Sequence, residues 1–428
     1  MEKSRLERLQ ERKQKERRQW LRRCCWGLFF IVLLAVGLHF ISDTPGSPAQ
    51  RMDQLRHQLT HQLTRLLPEE LPTQLFQGLR GLLPWNRQTD APFPAETGPA
   101  ASTTTSEEAD ASTDASFRVL FLGDNMMAGR VAAVMDEKGM HYPLQEFAPL
   151  LEEVDLIVAN LETAVGTSGQ MMEKSFAFQT APRYLDLFDP YREKLVFTLA
   201  NNHGMDGPAL ETMSALESAG FHYVGLGRDR EAAYAPYVGE INGVSFAIFG
   251  ASRVIPVASW RAGENHPGMA TVYNPESLLE HVVPWVGEVD YVITYLHWGV
   301  ELADKPEPYQ LALEEALYEA GVNLVIGSHP HVLQAFEWRG PKAFTAYSLG
   351  NFVFTTSHDP MANDTGALEL VLSPDAIETA VLHPAQVRWG LVRYLTDPTE
   401  RQRIIQRVNR LSESVRVDDD GMMQRLSH

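Results

Sequence analysis

The 428-residue chain has almost no cysteine. Its two, Cys24 and Cys25, are adjacent and open an apolar run. No disulfide can tie the rest of the chain, and no thiolate zinc site can form there. Stability must come from a packed core, which a chain of this length can build. Basic charge is scarce beyond the first 23 residues. That stub carries ten Lys/Arg and four Asp/Glu, a net of +6. Of the 37 basic and 55 acidic residues in the chain, the other 405 positions keep 27 and 51, a net of −24. So acidic a body repels phosphate backbones and argues against a nucleic-acid partner. There is no internal repeat. At 44% hydrophobic and 21% charged residues, the composition excludes a wholly disordered, collagen-like or coiled-coil chain.

Long apolar runs are also rare. Residues 24–41, CCWGLFFIVLLAVGLHFI, form an 18-residue stretch without Lys, Arg, Asp or Glu. That is near the ~20 residues a bilayer-spanning helix needs. The Lys/Arg excess before it places the N-terminus in the cytoplasm and the body outside, with the lipid bilayer as partner of 24–41. A cleaved signal peptide is the competing reading, with Ser47-Pro48-Ala49 as its faint cleavage site. The expected organisation is a basic cytoplasmic stub at 1–23, a single-pass membrane anchor at 24–41 and an amphipathic stalk at 42–85. The stalk shows Leu55, Leu59, Leu63, Leu66 and Leu67 at helical spacing, interrupted at Pro68 and Pro72. Residues 86–116 are Ala, Thr, Ser, Pro and acidic residues, and read as a disordered linker.

From Phe117 short apolar runs alternate with helical patterns, the mark of an α/β domain. Strands are expected at 118–122, 154–159, 195–200, 244–249, 289–296, 322–326 and 343–348. Helices are expected near 207–219, 276–286 and 307–320. After about 366 the pattern predicts further strands, then a closing helix at 397–415 and a frayed end. The domain is bounded at 117–375, with a β/helical extension at 376–428.

Polar residues fall where these runs end. They are Gly123-Asp124-Asn125, Asn160-Leu161-Glu162, Asn201-Asn202-His203, His297-Trp298-Gly299, Gly327-Ser328-His329-Pro330-His331 and Leu349-Gly350-Asn351. Ligands of α/β sheets bind outside the carboxyl ends of strands. Imidazole and carboxylate are ligands for Zn, Mn and Fe, so the set reads as a metal site for one or two divalent ions. Pro330 disfavours helix at His329, so an extended His329-x-His331 pair would offer one imidazole to each of two ions. Glu162 could bridge an ion pair, and Asn202 offers a neutral oxygen. Bland readings stay open: Asp124 as a helix cap, His203 as a loop residue, His297 as a satisfied core histidine. Asn160 and Asn351 are suited to holding loops, and Asp206 and Glu301 to orienting ligands from outside the inner shell.

GDNMMAGR (123–130), ANLETAV (159–165), LANNHGMDG (199–207), LHWGVEL (296–302), GSHPHVLQAFE (327–337) and YSLGNFVF (347–354) occur in that order. Together they resemble the capsule synthesis protein CapA family, also called the poly-γ-glutamate biosynthesis protein family. The resemblance covers roughly residues 117–356. It implies a metallophosphoesterase-like β-sandwich flanked by helices, held outside the cytoplasm. It also implies a role in capsule or poly-γ-glutamate synthesis or export beside a polyglutamate synthetase and exporter. By this resemblance Asp124, Glu162, Asn202, His297, His329 and His331 are metal ligands and His203 is the catalytic histidine of a hydrolase-type site. The sequence departs from the phosphoesterase pattern at two places. Met126 stands where Asp-x-His is expected, and Asn160-Leu161-Glu162 replaces Gly-Asp-x-x-Asp. An envelope metallophosphoesterase unrelated to polyglutamate, or a binding module without chemistry, are the alternatives.

Overall fold

The computed structural model describes residues 115–426. The expected stub, anchor and stalk, and nearly all of the linker, lie outside the described residues. Among those described, no helix is long and apolar enough to cross a membrane.

Two mixed sheets carry the fold. In chain order their strands are β1 (Phe117–Asn125), β2 (Leu156–Leu161), β3 (Leu195–Thr198), β4 (His222–Val224), β5 (Tyr237–Ile241), β6 (Val244–Ser252), β7 (Tyr291–His297), β8 (Leu324–Ser328), β9 (Phe336–Gly340), β10 (Ala343–Ala346), β11 (Asp364–Leu372), β12 (Ile377–Arg388) and β13 (Leu391–Tyr394). The first sheet runs β13-β12-β11-β1-β2-β3-β4 and the second β9-β10-β8-β7-β6-β5. Within them β1 to β4 are mutually parallel, and so are β6, β7, β8 and β10. Two sets of carboxyl ends are thereby gathered.

Strand periodicity sorts the side chains. Val119 and Phe121 of β1 pack with Phe246 and Ile248 of β6 and Ile293 and Tyr295 of β7, between the sheets. Leu120 and Leu122 face the other way, onto Val131 and Met135 of α1 (Gly129–Lys138) and Met213 and Leu216 of the 209–219 helix. The second sheet's outer face, with Phe249 and Val292, packs on Leu278, Val282, Leu313 and Leu317 of the 276–282 and 308–319 helices. Both faces of the central strands are buried, which is why they read as continuous apolar runs. The helices begin at sequence signals. Glu307 and Gln310 form a capping box ahead of Pro308, and Asp397 caps Thr399 and Glu400.

The chain end departs from expectation. Val415–Val417 and Met423–Arg425 pair as an antiparallel hairpin, and Leu382 N–H donates to Gly421 O at 2.8 Å. Val415, Val417 and Met423 are apolar side chains that find the inter-sheet core, so the segment is ordered and not frayed.

The sheets are stitched together where their strands end. Asp124 N–H donates to Gly350 O at 2.9 Å and Phe352 N–H to Asp124 O at 2.8 Å. On its other side the same segment reaches β8, since Leu349 N–H donates to Gly327 O at 3.1 Å. Gly123 and Gly327 permit this approach. A Cβ on Gly123 would lie 2.0 Å from Gly350 O, and one on Gly327 2.1 Å from Tyr347 O. Gly123 is also the extra residue of a bulge in the β1–β2 pairing, which re-aims Asp124. Gly123→Ala is therefore expected to cost about 1–3 kcal/mol or more, as overpacking against backbone does. Gly340→Ala, whose Cβ would meet its nearest neighbour at 3.6 Å, should be near neutral. Chemical denaturation of the two variants side by side checks the contrast.

Candidate metal centre

Five strand ends meet at one place. Asp124 comes from β1, Glu162 follows β2, and Asn202 and His203 follow β3. His297 ends β7, while His329 and His331 follow β8. Asp124, Glu162, His203, His297 and His329 are all buried. Three sets have ligand atoms mutually within 4.8 Å: Glu162 with His297 and His329, Asp124 with Glu162 and His331, and Glu301 with His329 and His331. The imidazole rings of His297 and His329 are 4.8 Å apart, and those of His329 and His331 5.9 Å.

Neighbours aim these groups. Asn160 Nδ2 donates to Asp124 Oδ1 at 2.8 Å, and its Oδ1 accepts from Thr198 and Asn201 at 3.2 and 3.0 Å. His297 Nδ1 lies 2.9 Å from Ser328 Oγ and its Nε2 2.8 Å from Asn202 Oδ1. His331 Nδ1 lies 2.9 Å from Asn351 Oδ1 and 3.2 Å from Asp124 Oδ2. His203 Nδ1 meets Asp206 Oδ2 at 2.7 Å, and its ring leans on Phe178 at 4.7 Å. Asn160, Asn351 and Asp206 thus orient other side chains. Exposed Glu301 falls in a direct ligand set with His329 and His331.

The pair His329-Pro330-His331 is not extended. His329 has φ 97° and His331 φ 59°, so both occupy the left-handed region that favours glycine. Pro330 does keep the chain out of helix, but the turn after β8 uses positive φ to bring the rings in. Strain of this kind collects at functional sites. Spacing also gave no sign of Lys174. Its Nζ donates to Asn202 O at 2.5 Å, lies 3.1 Å from His203 Nδ1 and pairs with Asp206 Oδ1 at 2.6 Å. A single lysine in the stretch 166–178 carries no motif, and only the folded loop brings it to His203.

The residues fit a cation. Both carboxylate oxygens of Glu162 and Nδ1 of His329 are buried without a hydrogen-bond partner. Orphaned acceptors of this kind are rare and costly. Glu162 Oε1 is 3.7 Å from His297 Nε2 and 3.9 Å from His331 Nε2. Burial, then the Asp124 charge, pushes the Glu162 carboxyl well above its ordinary range. Burial holds His297 well below the usual imidazole value, and burial with the His331 charge holds His329 at about 3. Burial opposes charge on His331 too, yet Glu162 and Asp124 outweigh it and raise that imidazole to about 10. Without an ion, the His331 proton is the positive charge between the two carboxyls.

The model of the bacterial capsule synthesis protein PGA_cap matches residues 118–356, more than half of the chain and the whole ligand set. The chain belongs to this capsule synthesis (CapA) family. Capsule biosynthesis protein CapA of Bacillus anthracis is 28% identical over 304 residues, covering 68% of this chain and 72% of that protein. PGA biosynthesis protein CapA of Bacillus subtilis strain 168 is 30% identical over 241 residues, covering 55% and 62%. The chain thus spans just under two thirds of this second relative. The solved NAD nucleotidase of Haemophilus influenzae superposes with a TM-score of 0.33 at 10% identity, over 71% of this chain and 64% of that one, a likeness too low to argue from.

Glu162→Gln keeps the shape and removes the charge. In metal-free protein it should leave the melting temperature about unchanged, because one buried partnerless polar group replaces another of the same shape. It should also remove most of the rise that added Mn²⁺ or Zn²⁺ gives the parent. Calorimetric melts with and without ion read both effects, and a large loss of metal-free stability would assign Glu162 to the fold instead. Ion uptake should release protons, since His331 is charged below a pKa of about 10. Affinity should therefore climb as pH rises toward that value, and titration calorimetry in two buffers of different ionisation heat counts the protons.

Proposed function

We propose that this CapA-family chain is a membrane-anchored accessory protein of capsule or poly-γ-glutamate synthesis or export, carrying a metal-dependent hydrolase-type site. The anchor is the apolar run 24–41, which holds the acidic domain outside the cytoplasm within reach of a polyglutamate synthetase and exporter. One observation carries the hydrolytic part of this reading. Glu162 is fully buried with both oxygens unpartnered, inside a ring of Asp124, His297, His329 and His331. Nothing in the packing of the domain calls for that carboxylate.

Asp124, Glu162, Asn202, His297, His329 and His331 would hold one or two divalent ions of the Mn, Fe or Zn class. Such an ion, when bound, supplies a Lewis acid for water and for a developing oxyanion. The protein's own part falls to His203. Asp206 grips its Nδ1 side and Phe178 supports its ring, so Nε2 is the nitrogen free to exchange a proton with substrate. Burial lowers the His203 pKa, against the upward pull of the Asp206 hydrogen bond. Lys174 fixes Asp206 and the Asn202 backbone in one contact, so the metal-ligand turn and the acid–base turn move as a unit.

Metal analysis of the full-length protein in detergent should find Mn, Fe or Zn, or a gain of either metal or activity on reconstitution. The loaded protein is then assayed on γ-linked polyglutamate and on a panel of phosphodiesters. His203→Ala should lower turnover by about 100-fold or more with metal content unchanged. His331→Ala should lower both. Turnover equal in wild type and His331→Ala would sink this assignment of the site. Cleavage confined to phosphodiesters would transfer it to an envelope phosphoesterase, and polymer binding without turnover to a binding module.

A further inference from the structure

Arg253 leaves β6 beside the metal centre. Ser252 is the register partner of His297, and Arg253 N–H donates to His297 O at 2.8 Å. The Arg253 guanidinium lies 4.1 Å from the Tyr273 ring centre and 5.0 Å from that of Tyr309. Both rings are tied to the same edge. The Tyr309 hydroxyl accepts Gly299 N–H at 2.6 Å, two residues past His297, and the Tyr273 hydroxyl accepts Ile255 N–H at 3.2 Å. Arg261 also lies over Tyr273, at 4.9 Å.

Several guanidiniums of the domain are already engaged by carboxylates. Arg118 holds Glu369, Arg393 holds Glu400 and Arg407 holds Asp304. Among the described residues, Arg253 and Arg261 make no ion pair and no side-chain hydrogen bond, although acidic residues outnumber basic ones in this body. Stacking on an aromatic face leaves the in-plane N–H edge of a guanidinium open to an oxyanion. It also fixes a side chain that would otherwise lose rotamer freedom on binding, so the group is preorganised.

We propose that Arg253, steadied by Tyr273 and Tyr309 and seconded by Arg261, is an oxyanion subsite beside the metal centre that takes the pendant carboxylates of a γ-linked polyglutamate chain. This rests on the polyglutamate reading above. A γ-linkage consumes the side-chain carboxyl and leaves one α-carboxylate free on every residue, so a polymer lying across the strand ends presents carboxylates to whatever cation flanks the ion. The subsite is local, and it suits a polyanion that the rest of this acidic surface repels.

The test uses the full-length, metal-loaded protein and a fluorescent γ-linked glutamate oligomer, followed by anisotropy. Arg253→Ala should weaken binding by about tenfold or more, as loss of a charge-assisted pair does, with metal content and melting temperature unchanged. Arg253→Lys keeps the charge but not the planar fork, and should recover only part of the affinity. On the wild-type protein, an oligomer with its α-carboxylates amidated should bind about as weakly as the acid oligomer binds Arg253→Ala. Equal affinity of wild type and Arg253→Ala, or of acid and amidated oligomer for wild type, overturns the subsite while leaving the polyglutamate reading standing. A loaded wild-type protein that binds neither oligomer overturns both.

Discussion

A carboxylate buried without a partner organises this structure. Glu162 sits inside the domain with no donor on either oxygen, and Asp124 beside it adds a like charge. A protein interior does not tolerate a second carboxyl beside it unless something positive is held between them. In this chain the available charge is the proton of His331, and the ring of imidazoles around it is otherwise neutral. The arrangement is poor for stability and good for capturing a cation.

That arrangement depends on two face-packed sheets being locked where their strands end. Half of the ligands belong to the β1–β2–β3 side and half to the β7–β8 side. The segment around Leu349–Phe352 bonds to both, and two glycines let the backbones touch. Asn160 is the side-chain counterpart of this seam. It joins the ends of β1, β2 and β3 by holding Asp124, Thr198 and Asn201 at once. It also lies 3.4 Å from His297 on the other sheet. A residue that reads as a loop-holder in the sequence is therefore a hub of the centre.

Much of this was legible before folding. The strands with both faces buried appear as apolar runs, and polar residues cluster where those runs stop, so the ligand edge shows in one dimension. What stayed hidden has physical causes. The short strand at His222–Val224 and the half-exposed one at Tyr237–Ile241 lack a long apolar run, and β9 has mixed burial. The turn at His329-Pro330-His331 needs two positive φ values that no rule assigns to histidine. Lys174 and the Arg253 stack arise from loop folding and leave no spacing in the sequence. The order at the end of the chain does not show in the sequence because its three apolar anchors, Val415, Val417 and Met423, are scattered among polar residues.

The reach of the ligand set along the chain has a consequence for how the protein comes into being. The contact between Asp124 and His329 spans 205 residues. A contact of such separation carries the loop-closure entropy of all the chain between its ends. No fragment that stops short of His331 carries the whole ligand set, and a half-made chain offers only scattered side chains to a passing ion. The centre thus draws together segments far apart along the chain, and its assembly requires both sheets and the seam between them.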